Sequence, residues 1–152
     1  MSSKKPDLSE IGEILGDQDF SNYQSEAEER YGDTDDWAIS QKRVAKWSRD
    51  DWLSNKERFE SVEAELADAV RREVATDSAE AAVLVEKHRE LLSAFFPVSA
   101  AKHYMISRAY INDERFKTHY ESRQAGLAVW LAEAIENVAE RSGVDLQNPE
   151  WE

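Results

Sequence analysis

No segment of this chain alternates apolar and polar residues in the manner of a half-buried strand. Its apolar side chains recur three and four residues apart, which is the period of one face of an α-helix. Trp52, Phe59, Val62, Leu66, Ala69 and Val70 keep that spacing over about five turns. Ala81, Leu84, Val85, His88, Leu91, Leu92 and Phe95 repeat it, as do Leu127, Trp130, Leu131, Ala134, Ile135 and Val138. Only five glycines and three prolines punctuate 152 residues, so little interrupts these stripes. The expected fold class is all-α.

Local signals mark where the helices begin and end. Asp33-Thr34 is a capping pair before a helix that carries Trp37, Val44 and Trp47. Ser48 reads as the N-cap of the longest helix, with Asp50 and Asp51 favoured by the helix dipole in its first turn. Thr76-Asp77-Ser78 makes a turn and cap, and Pro97 ends the helix that follows, because proline disfavours the α conformation at Phe96. Ser99 caps a helix expected to run through Tyr110, and Asn112-Asp113 caps a short helix bearing Phe116 and Tyr120. The last helix is expected from about Gln124 to Arg141, with Gly143 as its stop. Residues 7–15 form a weaker amphipathic helix, with Leu8, Ile11 and Leu15 on one side and Gly16 at its end. Residues 1–33 hold few aliphatic anchors and read as a lid-like or partly disordered segment before a helical body at 34–143. Residues 144–152 read as a flexible tail.

Composition removes several functions. A formal charge of −13 repels phosphate backbones and anionic lipid, so neither direct nucleic-acid binding nor membrane docking is expected. Without cysteine there is no disulfide, thiolate metal site or thiol nucleophile. No apolar run approaches the roughly 20 residues of a membrane span, and no apolar stretch follows the basic start as in a secretory signal, so the chain reads as cytoplasmic. The five glycines are isolated and make no phosphate-binding loop. Ser99 follows Pro97-Val98 and not a strand-to-helix elbow, which argues against a hydrolase nucleophile. Glu86, Glu90, Glu133, Glu136 and Glu140 read as a solvated helix face. No pair of histidines has the spacing of a zinc site. Neither an enzyme, a metal nor a cofactor is indicated.

The aromatics remain. Phe95, Phe96, His103, Tyr104, Tyr110 and Phe116 gather on either side of Pro97. They suit either the wall of a ligand pocket or the core of a helical domain. His88 lies on an apolar stripe and reads as a satisfied core histidine. His103 suits a structural role as well as a ligand contact, and the spacing leaves open whether the two meet across the proline.

Certain motifs resemble a known family. Tyr31-Gly-Asp-Thr-Asp-Asp-Trp37, Ser48-Arg-Asp-Asp-Trp52, Glu86-Lys-His-Arg89, Tyr110-Ile-Asn-Asp-Glu-Arg-Phe116, Gly126-Leu-Ala128 and Ala134-Ile135 occur in the order and with the gaps of the TipAS antibiotic-recognition domain. That domain is the C-terminal effector module of a branch of MerR-type transcription activators. The resemblance implies a globin-like helical domain with a cleft for thiopeptides or other bulky multi-ring antibiotics, and an N-terminal lid on which Phe20, Tyr23 and Tyr31 would be anchors. In the thiopeptide-binding archetype a cysteine captures a dehydroalanine of the drug, but the matching position here is Val98. Binding is therefore expected to be non-covalent, to sense or sequester the drug. The DNA-binding and coiled-coil parts of the full regulators have no counterpart here and would belong to a longer form. The ligand-facing residues expected are Phe95, Phe96, Val98, His103, Tyr104, Tyr110 and Trp130, with Tyr31 and Trp37 on the lid side. The alternative is a helical protein-interaction domain that kept the fold and lost the pocket.

Overall fold

The structure is a computed structural model that describes residues 6–15 and 20–151, with the side chains of Ser9, Phe20, Ser21, Asn22 and Tyr23 excepted. The Gly16 stop and the Phe20 and Tyr23 side chains therefore lie outside the described residues. The described residues form nine helices and no strand: α1 (Leu8–Leu15), α2 (Phe20–Tyr31), α3 (Asp35–Val44), α4 (Arg49–Arg71), α5 (Ala79–Ser93), α6 (Ala100–Ser107), α7 (Ala109–Asn112), α8 (Glu114–Arg123) and α9 (Leu127–Arg141).

The caps arise where local chemistry places them. Thr34 Oγ1 accepts the Trp37 N–H, Ser78 Oγ that of Ala81, Ser99 Oγ that of Lys102, and Asp113 Oδ1 that of Arg115. Each satisfies one of the N–H groups that a helix start leaves without an internal partner.

Two boundaries and one helix face differ from the sequence expectation. The helix after Ser99 breaks at Arg108. The Ser107 hydroxyl donates to the Tyr104 carbonyl at 2.6 Å, and the Arg108 N–H turns to Met105 O at 3.3 Å. A serine hydroxyl bonded to the preceding turn thus coincides with the break in the ladder. The last helix starts at Leu127 and not near Gln124, because Gln124 is extended and Gly126 adopts a left-handed φ of 88°. In α1 the buried residues are Ile11 and Ile14, whereas Leu8 is exposed. A face centred between those isoleucines leaves Leu8 about a quarter-turn away.

The chain divides into two compact units. Unit 1 comprises Met1–Phe59 with Ser93–Pro97, and unit 2 comprises Glu60–Leu92 with Val98–Glu152. In unit 1, Ile11, Ile14 and Trp52 are buried, with Leu15, Val44, Trp47 and Phe95 packed on them. In unit 2, α9 packs on α6, α7 and α8, and Leu66, Val85, Leu127, Leu131 and Ile135 are almost wholly buried. Burying each such side chain contributes about 2 kcal/mol.

Helices α4 and α9 end in the same way. The Val74 N–H reaches Ala69 O and the Glu73 N–H reaches Val70 O; the Val144 N–H reaches Ala139 O and the Gly143 N–H reaches Glu140 O. Both are Schellman ends that need a left-handed residue, and Gly143 supplies it at φ 90° while Glu73 is held at φ 58°. A side chain opposes that conformation. Glu73→Gly is therefore expected to raise the unfolding free energy by about 0.5–1 kcal/mol in urea titration, and Gly143→Ala to lower it by about 1 kcal/mol.

Candidate functional site

In unit 1 the turn between α3 and α4 is held by a reciprocal cap. The Ser48 N–H donates to Asp51 Oδ2 at 2.9 Å, and the Asp51 N–H donates to Ser48 Oγ at 3.2 Å. Trp47 precedes that cap and Trp52 follows it by four residues. Their rings meet edge to face at 4.7 Å, so a capping box and a hydrophobic staple fix Trp47 together. Phe95 completes the wall, with its ring 5.3 Å from Trp47 and 6.4 Å from both Trp52 and Phe59. Pairs at these distances add specificity to the packing beyond buried area alone.

Beside this wall lies a cleft of about 620 Å³ within the same unit. Ile39, Trp47 and Ala94 give it apolar surface, and Ser54 and Asn55 give it polar groups. Lys42, Arg43, Lys46, Arg58 and Asp51 supply its charges. Arg43 Nη1 donates to Ser93 O at 2.8 Å and so ties α3 to the last residue of α5. The volume falls in the range of small-molecule sites.

Unit 2 holds a buried polar chain. His88 Nδ1 lies 2.9 Å from His103 Nε2, and His88 Nε2 lies 3.0 Å from the Tyr120 hydroxyl. Two opposite proton arrangements satisfy this chain with both rings neutral. Burial pushes the His88 imidazole down to about 4 and holds His103 well below the ordinary histidine range. Burial likewise raises the Tyr110 and Tyr120 hydroxyls above theirs. Glu63, also buried, accepts from His119 Nε2 at 2.8 Å and from Arg123 Nη2 at 3.0 Å. With every ring nitrogen of His88 engaged, this constellation is suited to holding α4, α5, α6 and α8 together rather than to moving protons.

The nine residues singled out from sequence fall into separate settings. Phe95 joins the unit 1 ring wall, and Phe96 is half-buried in the same unit. Tyr31 is 54% exposed at the end of α2, and Trp37 is half-buried on α3. The other five belong to unit 2. Val98 is buried, and its carbonyl accepts from Arg89 Nη1 at 2.7 Å. His103 belongs to the polar chain. The Tyr104 ring carries the Arg108 guanidinium at 4.5 Å. Tyr110 packs 4.8 Å from Tyr120, and the Trp130 indole N–H donates to Val74 O at 2.8 Å.

Sequence reasoning missed Trp47 and the cations around it as site residues. The Trp-Ser-x-x-Asp-Trp staple pattern at 47–52 and the basic run at 42–46, set in an acidic chain, were the available signals. Among the described residues no cluster of His, Asp or Glu is arranged to hold a metal ion, and no helix is long and apolar enough to cross a membrane.

An all-helical domain with a cleft of this size, to which Trp47 presents an aromatic surface, is the architecture of a small-molecule recognition module. The family profile of the TipAS antibiotic-recognition domain matches residues 23–138, and the chain belongs to that family. It is 28% identical over 131 residues to the HTH-type transcriptional activator TipA of Streptomyces coelicolor, and equally to that of Streptomyces lividans. The aligned region covers 81% of this chain and 49% of either activator, so the chain spans about half the length of these relatives. Among solved structures it is similar to TipAS of Streptomyces lividans in complex with the thiopeptide nosiheptide, from a thiopeptide antibiotic multidrug resistance system. The TM-score is 0.80 at 25% identity, over 93% of this chain and 99% of that one.

Proposed function

We propose that this chain recognises a bulky, multi-ring antibiotic of the thiopeptide kind and holds it non-covalently, to sense or sequester it. The observation that carries this reading is the unit 1 cleft, whose volume suits part of such a ligand and whose Trp47 belongs to a ring wall fixed by local caps. Flat rings stack on such a wall at low rotamer cost. No thiol is present to add to a dehydroalanine, so apolar surface and stacking supply the affinity. The chain acts by binding and not by catalysis, since its buried histidines are spent on each other and on Tyr120. Its setting is the cytoplasm, and a DNA-binding domain of MerR type in a longer form would turn binding into transcription.

Nosiheptide at a hundredfold excess over Kd is expected to stabilise the chain by about 2.7 kcal/mol, read as a rise in melting temperature. Mass spectrometry under denaturing conditions should return the unmodified protein mass. A flat melting response across thiopeptides and other multi-ring antibiotics would overturn the recognition reading, and a covalent adduct would overturn its non-covalent part.

A further inference from the structure

We propose that the unit 1 cleft selects ring-rich ligands that carry an acidic group, such as a carboxylate or sulfonate. This rests on the ligand-recognition reading and adds a charge requirement to it. The whole chain carries −13, yet the cleft gathers Lys42, Arg43, Lys46 and Arg58 against the single carboxylate of Asp51. Asp51 already accepts the Ser48 N–H through Oδ2. Lys42, Lys46 and Arg58 form no ion pair among the described residues, although acidic side chains are abundant. Lys42 lies in the last turn of α3 and Lys46 in the turn that follows it, so the two cations reach the cleft from neighbouring stretches of backbone.

A second observation points the same way. Asn55 is only 7% exposed and lines the cleft, and its side-chain amide has no hydrogen-bond partner among the described residues. Its polar atoms are not among the buried unpartnered ones and so open to the cleft, where the amide N–H can donate to a ligand oxygen. Trp47 offers an aromatic surface on the same cleft. An aromatic ring bearing an anion answers all three features: the ring stacks, the anion meets the cations, and an oxygen takes the amide N–H. Within about one Debye length of 10 Å these local cations outweigh the distant negative surface.

The test uses two fluorescent probes on one scaffold, anilinonaphthalene sulfonate and the neutral phenylnaphthylamine, titrated into the full chain. The sulfonate is expected to bind about tenfold more tightly, and added salt should erase that preference while leaving the neutral probe unchanged. The double variant Lys42→Gln/Lys46→Gln, or Arg58→Gln, should remove most of the preference. These residues are exposed, so circular dichroism of the variants should match the parent. Trp47→Ala should weaken both probes. Equal affinity for the two probes, unaffected by the glutamine variants, would overturn the charge requirement and leave ligand recognition standing. Absence of binding by either probe, together with a flat response to antibiotics, would overturn both.

Discussion

Lowering the pH from 6.5 toward 4 is expected to remove about 3 kcal/mol of stability through His88 alone. Burial depresses the folded-state pKa of His88 from the ordinary 6.5 to about 4, so in this window the unfolded chain binds a proton that the folded chain refuses. The stability is therefore fully present above pH 6.5 and is lost as pH falls through the folded pKa. His103 is shifted in the same direction and steepens the slope. Each histidine contributes about 1.4 kcal/mol per pH unit. Most carboxylates stay ionised above pH 5, so the upper part of the window reports mainly on histidine. Urea titrations at a series of pH values measure this directly. His88→Gln keeps a donor and an acceptor and should flatten the dependence by one histidine's share. His88→Leu should instead cost about 2–4 kcal/mol at neutral pH, because it leaves His103 Nε2 and the Tyr120 hydroxyl buried without their partner. A parent protein whose stability is flat between pH 6.5 and 5 would show that these rings are not held neutral by burial.

Trp52→Ala is expected to lower the unfolding free energy by about 3–5 kcal/mol. Its side chain is 4% exposed and touches the core of unit 1 from α4, with Ile11 and Ile14 of α1, Trp47 before the cap and Phe95 after α5. Truncation would leave a void between elements that have few other apolar anchors, so α1 should lose its helical signal along with the ring wall. Leu53→Ala is the control, since Leu53 is the adjacent residue on α4 and is 36% exposed. It should change stability by no more than about 0.5 kcal/mol. A Trp52→Ala loss below about 1 kcal/mol would mean that unit 1 is not built around this ring.

Helices, caps and inward stripes were legible in the sequence because their causes are local. Thr34, Ser48, Ser78, Ser99 and Asp113 cap through bonds to residues two or three positions away, and the α4, α5 and α9 stripes follow from helical period alone. The Ser107 break was less legible, since a serine within a helix more often faces solvent than competes for a carbonyl. The family, too, was readable from motif order and spacing, as the match over 23–138 agrees.

Contacts between distant positions were not readable. His88 finds His103 fifteen residues away and Tyr120 thirty-two away, and Glu63 finds His119 across fifty-six. The same holds around Pro97. Its neighbours looked like one aromatic group, but Phe95 and Phe96 belong to unit 1, while Val98, His103, Tyr104 and Tyr110 belong to unit 2. The gathering of Lys42, Lys46, Arg58 and Asn55 about one cleft is likewise tertiary. Helical period and capping act within a few residues of backbone, so sequence determined them. Which side chains share a core or a cleft depends on how whole helices pack, and only the tertiary structure decided that.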